Sequence, residues 1–113
     1  MELAEVPTSL AELTWLKRLY LRNNRLEKVP EGLSALTNLE RLDLSSNQIT
    51  VIPEYFGNLT ALERLDLDSN NLSQIPSNLA NLSRLKHLFL HENPKLGIPE
   101  SILGPRFVHA GSP

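Results

Sequence analysis

An asparagine recurs every 23 residues, at Asn24, Asn47, Asn70 and Asn93, and leucine, isoleucine and proline recur in fixed phase with it. Aligned on the asparagines, the segments open Leu16-Lys17-Arg18-Leu19-Tyr20-Leu21, Leu39-Glu40-Arg41-Leu42-Asp43-Leu44, Leu62-Glu63-Arg64-Leu65-Asp66-Leu67 and Leu85-Lys86-His87-Leu88-Phe89-Leu90. One amphipathic helix or one strand does not repeat over so long a period, whereas a stack of identical supersecondary units does. No such unit buries its own apolar face, so the 41% apolar content of the 113 residues builds a core only if leucines are pooled between neighbours. The chain is one domain at most.

Each unit carries L-x-x-L-x-L, whose alternation of apolar and polar positions is that of a half-buried strand. Strands separated by a constant interval must each return beside the last, which predicts four parallel strands stacked about 4.8 Å apart with one leucine row per position. Asn24, Asn47, Asn70 and Asn93 end the strands, where their amides can satisfy backbone groups of the neighbouring coil; their role is structural. An apolar residue follows at Leu26, Ile49 and Leu72, and then Val29-Pro30, Ile52-Pro53, Ile75-Pro76 and Ile98-Pro99, where proline stops any strand. The pairs Leu33 and Leu36, Phe56 and Leu59, and Leu79 and Leu82 have the spacing of three suited to a short helical or 3₁₀ turn on the outer side.

The combined pattern L-x-x-L-x-L-x-x-N-x-L-x-x-I-P-x-x-L-x-x-L resembles the leucine-rich repeat family in its 23-residue form, over residues 3 to about 104. The resemblance implies an α/β solenoid: a right-handed coil with a four-strand parallel sheet on the concave side and short helical or 3₁₀ turns on the convex side, used to hold another protein. The array proper covers residues 16–104. Residues 1–15 form a half repeat with Leu3, Val6-Pro7, Leu10 and Leu13; either it is a cap, with Thr8 or Ser9 starting a short helix, or the chain is a fragment of a longer array. After Asn93 the pattern weakens: Lys95 stands where an apolar residue belongs, Pro105 replaces the next core leucine, and residues 105–113 read as a tail or linker.

A formal charge of −2 argues against a nucleic-acid binder, which would carry a basic stripe. With no cysteine there is no disulfide framework and no thiol chemistry. No apolar run is long enough to span a bilayer and residues 1–15 lack the pattern of a signal peptide, so the expectation is a cytoplasmic protein with no membrane partner. The sequons at Asn58, Asn71 and Asn81 fall where the repeat itself needs polar residues and are expected to be unmodified.

On a parallel sheet the polar residues between leucines form columns. One runs Arg18, Arg41, Arg64, His87; the next Tyr20, Asp43, Asp66, Phe89; a third Arg22, Ser45, Asp68, His91; Lys17, Glu40, Glu63 and Lys86 flank them. The strand charges are +3, −1, −2 and +1 in chain order with the histidines neutral, a polarised face. The docking reading takes Arg18, Tyr20, Arg22, Arg41, Asp43, Arg64, Asp66, Asp68, His87, Phe89 and His91 as partner-binding. Tyr20 and Phe89 serve as apolar anchors, with cover by the C-terminal tail as the alternative for Phe89, and Asp43, Asp66 and Asp68 form an acidic strip facing a basic segment. The competing reading is solvated charge, with Arg41 and Arg64 balancing Asp43 and Asp66. Trp15 is expected to pack under the N-terminal half repeat.

Asp43 with Asp66, and Asp68 with His91, are the pairs that invite a catalytic role, but an open sheet offers no closed site to tune them. His87 and His91 lie about 13 Å apart along a strand, too far to share a metal. No phosphate loop or nucleophile elbow occurs. The expected function is therefore non-catalytic recognition of a protein or peptide, without cofactor, metal or small-molecule substrate. A second expectation comes from His91 to Pro105, HENPKLGIPESILGP, which resembles the repeat that precedes the GTPase domain of bacterial Roco-type proteins. That resemblance implies the sensor arm of a larger signalling enzyme, with catalysis outside this chain.

Overall fold

The computed structural model describes residues 3–96 and the backbone of residues 108–109. Each L-x-x-L-x-L segment forms a short strand: β1 (Arg18–Tyr20), β2 (Arg41–Asp43), β3 (Arg64–Asp66) and β4 (His87–Phe89). All pair in parallel and in the register of the repeat, so that Arg18, Arg41, Arg64 and His87 stand side by side, as do Tyr20, Asp43, Asp66 and Phe89. The ladder runs on past the strands, since Leu21, Leu44 and Leu67 N–H groups donate to the carbonyls of Asp43, Asp66 and Phe89. A fifth strand, β5 (Val108–His109), pairs in parallel with β4 at Leu88 and Phe89, giving the sheet order β1-β2-β3-β4-β5. The four expected strands are thus joined by one in the segment read as a tail, where no L-x-x-L-x-L signal announces it. The expectations placed on Ile98-Pro99 and Pro105 lie outside the described residues.

Four 3₁₀ turns form the opposite side: η1 (Thr8–Glu12), η2 (Glu31–Ala35), η3 (Glu54–Asn58) and η4 (Ser77–Asn81). Each starts after a proline, Pro7, Pro30, Pro53 or Pro76, whose ring holds φ between −57 and −69°. In the repeat that opens at Leu16 the Pro30 carbonyl accepts from Leu33 N–H, Leu33 from Leu36, and Leu36 from Leu39, at 3.2, 3.0 and 3.2 Å. The same relay of i to i−3 bonds runs from Pro7 to Leu16, from Pro53 to Leu62 and from Pro76 to Leu85. A spacing of three therefore places every inward side chain on one edge of the coil and pairs its backbone as well. The short helix expected in the half repeat is η1 and starts at Thr8, with Pro7 in the position before it and no side-chain cap.

The core is a single pile of leucine rows in which Leu36, Leu42, Leu44, Leu59, Leu65 and Leu67 are wholly buried. Leu19, in the same row as Leu42 and Leu65, is only half-buried because β1 is flanked on one side alone. Phe56 fills the place that Leu33 and Leu79 hold in adjacent coils, and Tyr55 beside it donates its hydroxyl to the Pro30 carbonyl at 2.8 Å. Burial, with the Glu31 carboxylate nearby, pushes the Tyr55 phenol well above its ordinary pKa.

The asparagines join coil to coil. Asn47 Oδ1 accepts from Leu26 N–H at 3.0 Å, while its Nδ2 donates to Leu21 of the previous coil and to Leu44 and Ser45 of its own. Asn70 and Asn93 repeat this arrangement, and Asn24 Oδ1 holds Leu3 N–H at 2.7 Å, fastening the N-terminal half repeat to the array. The residue before each asparagine, Asn23, Ser46, Ser69 or Glu92, has φ of 55 to 59°, the left-handed turn that swings the amide inward. Trp15 departs from expectation: it is 67% exposed. Leu13 and Leu16 take the inward positions of the relay on either side of it, so the indole is turned outward.

Candidate functional site

The strand register assembles the three predicted columns on the concave face, but their side chains do not share one environment. Asp43 and Asp66, expected in solvent, are 3% and 4% exposed. Asp43 Oδ1 accepts the backbone N–H and the hydroxyl of Ser45 at 3.0 and 2.6 Å, a tight local turn at the strand end that also buries Ser45. Asp66 is gripped by Arg64 through Nε to Oδ1 at 2.9 Å and Nη2 to Oδ2 at 3.2 Å, and Arg41 Nη2 approaches from the next strand at 3.6 Å. The fork geometry is that of a bidentate guanidinium–carboxylate pair, and the bond to Asp66 raises the Arg64 pKa further. The acidic strip is therefore corrected: two of its three carboxylates are internal hydrogen-bond acceptors.

The third, Asp68, lies 3.5 Å from His91 Nε2 across the β3 and β4 ends, with both side chains mostly covered. Burial raises the Asp68 pKa above its usual range, offset in part by a hydrogen bond to its own backbone and by His91. Nδ1 of His91 is buried without a hydrogen-bond partner among the described residues.

The two predicted aromatic anchors also part ways. Tyr20 is 54% exposed, with the Arg41 guanidinium 5.0 Å from its ring centroid. Phe89 is 5% exposed and is corrected from surface anchor to covered ring. The Arg64 guanidinium lies 4.7 Å above it, the His87 ring stacks at 6.3 Å, and His91 meets it edge-on at 6.5 Å. Arginines of the two middle strands thus lean outward over the aromatic residues of the two flanking strands.

What stays open to solvent at the β1 edge of this face is cationic and aromatic, while Glu63 of the flanking column is exposed farther along the sheet. Lys17, Arg18 and Arg22 are exposed, and among the described residues none of them takes part in an ion pair. With Tyr20 they form one patch at the β1 edge, bordered by Arg41. No group of three or more potential metal ligands occurs among the described residues, and no helix there is long and apolar enough to cross a membrane. Residues that the sequence reading missed are the left-handed Asn23, Ser46, Ser69 and Glu92, Tyr55 with its bond to Pro30, and Ser45 as the partner of Asp43. For the first set a signal was present, a polar residue immediately before every ladder asparagine; for Ser45, the spacing of two from Asp43 is that of an Asx-type turn.

The family profile described as leucine rich repeat matches residues 14–72 and 51–94. No curated protein sequence matches the chain significantly. Among solved structures, a leucine-rich repeat protein of Leptospira interrogans superposes with a TM-score of 0.85 at 27% identity, covering 96% of this chain and 29% of that one. Internalin C2 of Listeria monocytogenes gives 0.80 at 32% identity over 95% of this chain and 47% of its own, and internalin F of the same organism gives 0.76 at 31% over 96% and 32%. The chain spans less than half the length of each. Such arrays serve as protein-interaction modules and are typically non-catalytic. With the profile covering most of the chain, and the strand register, asparagine ladder and 3₁₀ relay all following its period, this chain belongs to the leucine-rich repeat family.

Proposed function

We propose that this chain is a non-catalytic recognition module that binds a protein partner across its concave face. The observation that carries this reading is Tyr20, a large aromatic 54% exposed on an otherwise polar sheet and flanked by exposed Arg18 and Arg22. Tyrosine and arginine supply contact area and directed hydrogen bonds, which is why they dominate binding energy at protein interfaces. The scaffold beneath is rigid, because the leucine rows and asparagine ladder fix the column spacing, so binding carries little ordering cost on this side. Neither nucleic acid, membrane nor a small substrate is part of the proposal, and the location proposed is cytoplasmic; carbohydrate on exposed Asn58 of the native protein would overturn that location.

Capture from native extracts tests the face. A partner retained by the wild type and by a convex-side control, Ser34→Glu, but lost with Tyr20→Ser and Arg18→Glu supports the reading. A partner lost only with Ser34→Glu overturns it. In the second reading the array is the sensor arm of a larger Roco-type signalling enzyme. It draws on the run from His91 to Pro105, and the mass of the native gene product distinguishes the two: one well above 12.7 kDa, with a GTPase domain attached, favours the sensor arm.

A further inference from the structure

We infer that the segment recognised by the β1 edge of the concave face is an acidic, extended peptide carrying carboxylates at positions i and i+4 with an apolar side chain at i+2. This rests on the concave-face reading and gives its partner a chemistry. The strand charges alone suggest a polarised face whose acidic middle attracts a basic segment. The structure withdraws three of the middle-strand carboxylates from the face, because Asp43 bonds to Ser45, Asp66 to Arg64 and Arg41, and Asp68 lies against His91, leaving Glu40 and Glu63 in the flanking column. A carboxylate held in such a contact and largely covered offers a ligand few open lone pairs. The cations of β1 have no such partner among the described residues, and they are exposed.

Their arrangement supplies the register. Arg18, Tyr20 and Arg22 alternate with Leu19 and Leu21, both turned into the core, so all three project from the same face of an extended backbone. Ladder hydrogen bonds from Leu21 and Asn23 carry the pairing through Arg22, and the chain then turns at Asn23, whose φ is 59°. Arg18 and Arg22 are therefore about 13 Å apart with Tyr20 between them. A second extended chain has the same repeat: its residues i, i+2 and i+4 share a face and span about 13 Å. Such a segment sets one carboxylate against each guanidinium in a charge-assisted pair and lays its central apolar group on the Tyr20 ring. The ring is already steadied from the other side by Arg41, 5.0 Å from its centroid. Lys17, exposed beside Arg18, adds a positive charge that speeds encounter with an acidic chain.

The test is a titration of the isotopically labelled chain, followed by backbone amide resonances at low ionic strength. Two synthetic probes are used: the capped heptapeptide Gly-Glu-Ser-Leu-Ser-Glu-Gly and its counterpart with lysine in place of each glutamate. The expected result is saturable movement of the amides of residues 17–23 with the glutamate peptide only. Affinity should fall by about tenfold or more in the Arg18→Glu, Arg22→Glu double variant, whose unchanged thermal melt shows that it is folded. A lysine peptide that moves the concave amides in place of the glutamate peptide overturns the acidic partner and leaves the concave-face reading standing. Glutamate-peptide shifts confined to the η1–η4 side overturn both, and an absence of shifts with either probe overturns the acidic segment. Inorganic phosphate or a short DNA duplex moving the same amides at lower concentration than the peptide also overturns it, in favour of a general anion site.

Discussion

Arg64 spans two neighbours at once: its guanidinium carbon sits 4.7 Å above the Phe89 ring while its Nε and Nη2 atoms hold both oxygens of Asp66. The carboxylate and ring lie side by side in the β3–β4 register, so one cation closes the surface over both. This relationship moves Phe89 from the category of binding anchor to that of stability.

Phe89→Ala should therefore lower stability by about 3 kcal/mol or more, as for truncation of a buried aromatic, whereas Tyr20→Ala should stay within about 0.5 kcal/mol of wild type. Urea unfolding of the two variants side by side checks the contrast. Equal stabilities for the pair would mean that Phe89 is a surface residue after all.

Asn47→Ala leaves Leu26 N–H without its side-chain acceptor, while the Leu21 carbonyl loses one of two amide donors and keeps Asn24 Nδ2. The expected loss is about 1 to 3 kcal/mol, and Asn24→Ala should cost less because Asn24 is only half-buried. Denaturation midpoints that rank Asn24→Ala as the more damaging change would contradict the ladder's dependence on burial.

Ser46 carries φ of 55°, a conformation in which an L side chain is strained and glycine is not. Ser46→Gly should be neutral or stabilising by up to about 1 kcal/mol, the relieved strain being offset by the greater freedom of glycine in the unfolded chain. Ser46→Val should destabilise by about 1 to 2 kcal/mol. Thermal melts of the three proteins order them, and a valine variant as stable as the glycine one would show that the turn adapts.

Asp68 links pH to stability in the unusual direction. Burial lifts its pKa in the folded state above the ordinary 3.8, so the folded protein holds this proton more tightly than the unfolded chain does. Its contribution favours folding below pH 3.8 and is lost as pH rises through the raised folded value. Asp68→Asn cannot ionise, so its melting temperature relative to wild type should climb across that window and remain higher at neutral pH. A variant less stable than wild type at neutral pH would mean that the attraction of His91 outweighs the burial of the charge.

The repeat, the strand positions, their parallel register, the structural asparagines and the turn after each proline were legible in the sequence because each follows from a periodic one-dimensional pattern. A leucine at every second position can only face one side of a strand, and four strands separated by one constant interval can only stack in register. The path of Trp15, the left-handed turns at Ser46 and its equivalents, and β5 were not legible. Trp15 and Ser46 depend on which way the chain bends between inward leucines, and β5 pairs without any repeat of the motif.

The sequence by itself determined the solenoid, since pooled leucine burial is the one means by which 23-residue units acquire a core. Only the tertiary structure decided which charges the concave face offers a partner. Asp43, Asp66 and Asp68 count in the sequence as freely as Lys17, Arg18 and Arg22 do. Once folded, the three acids are drawn into contacts with Ser45, Arg64 and His91, because a partly buried carboxylate must find donors, while Lys17, Arg18 and Arg22 form no ion pair among the described residues and remain in water.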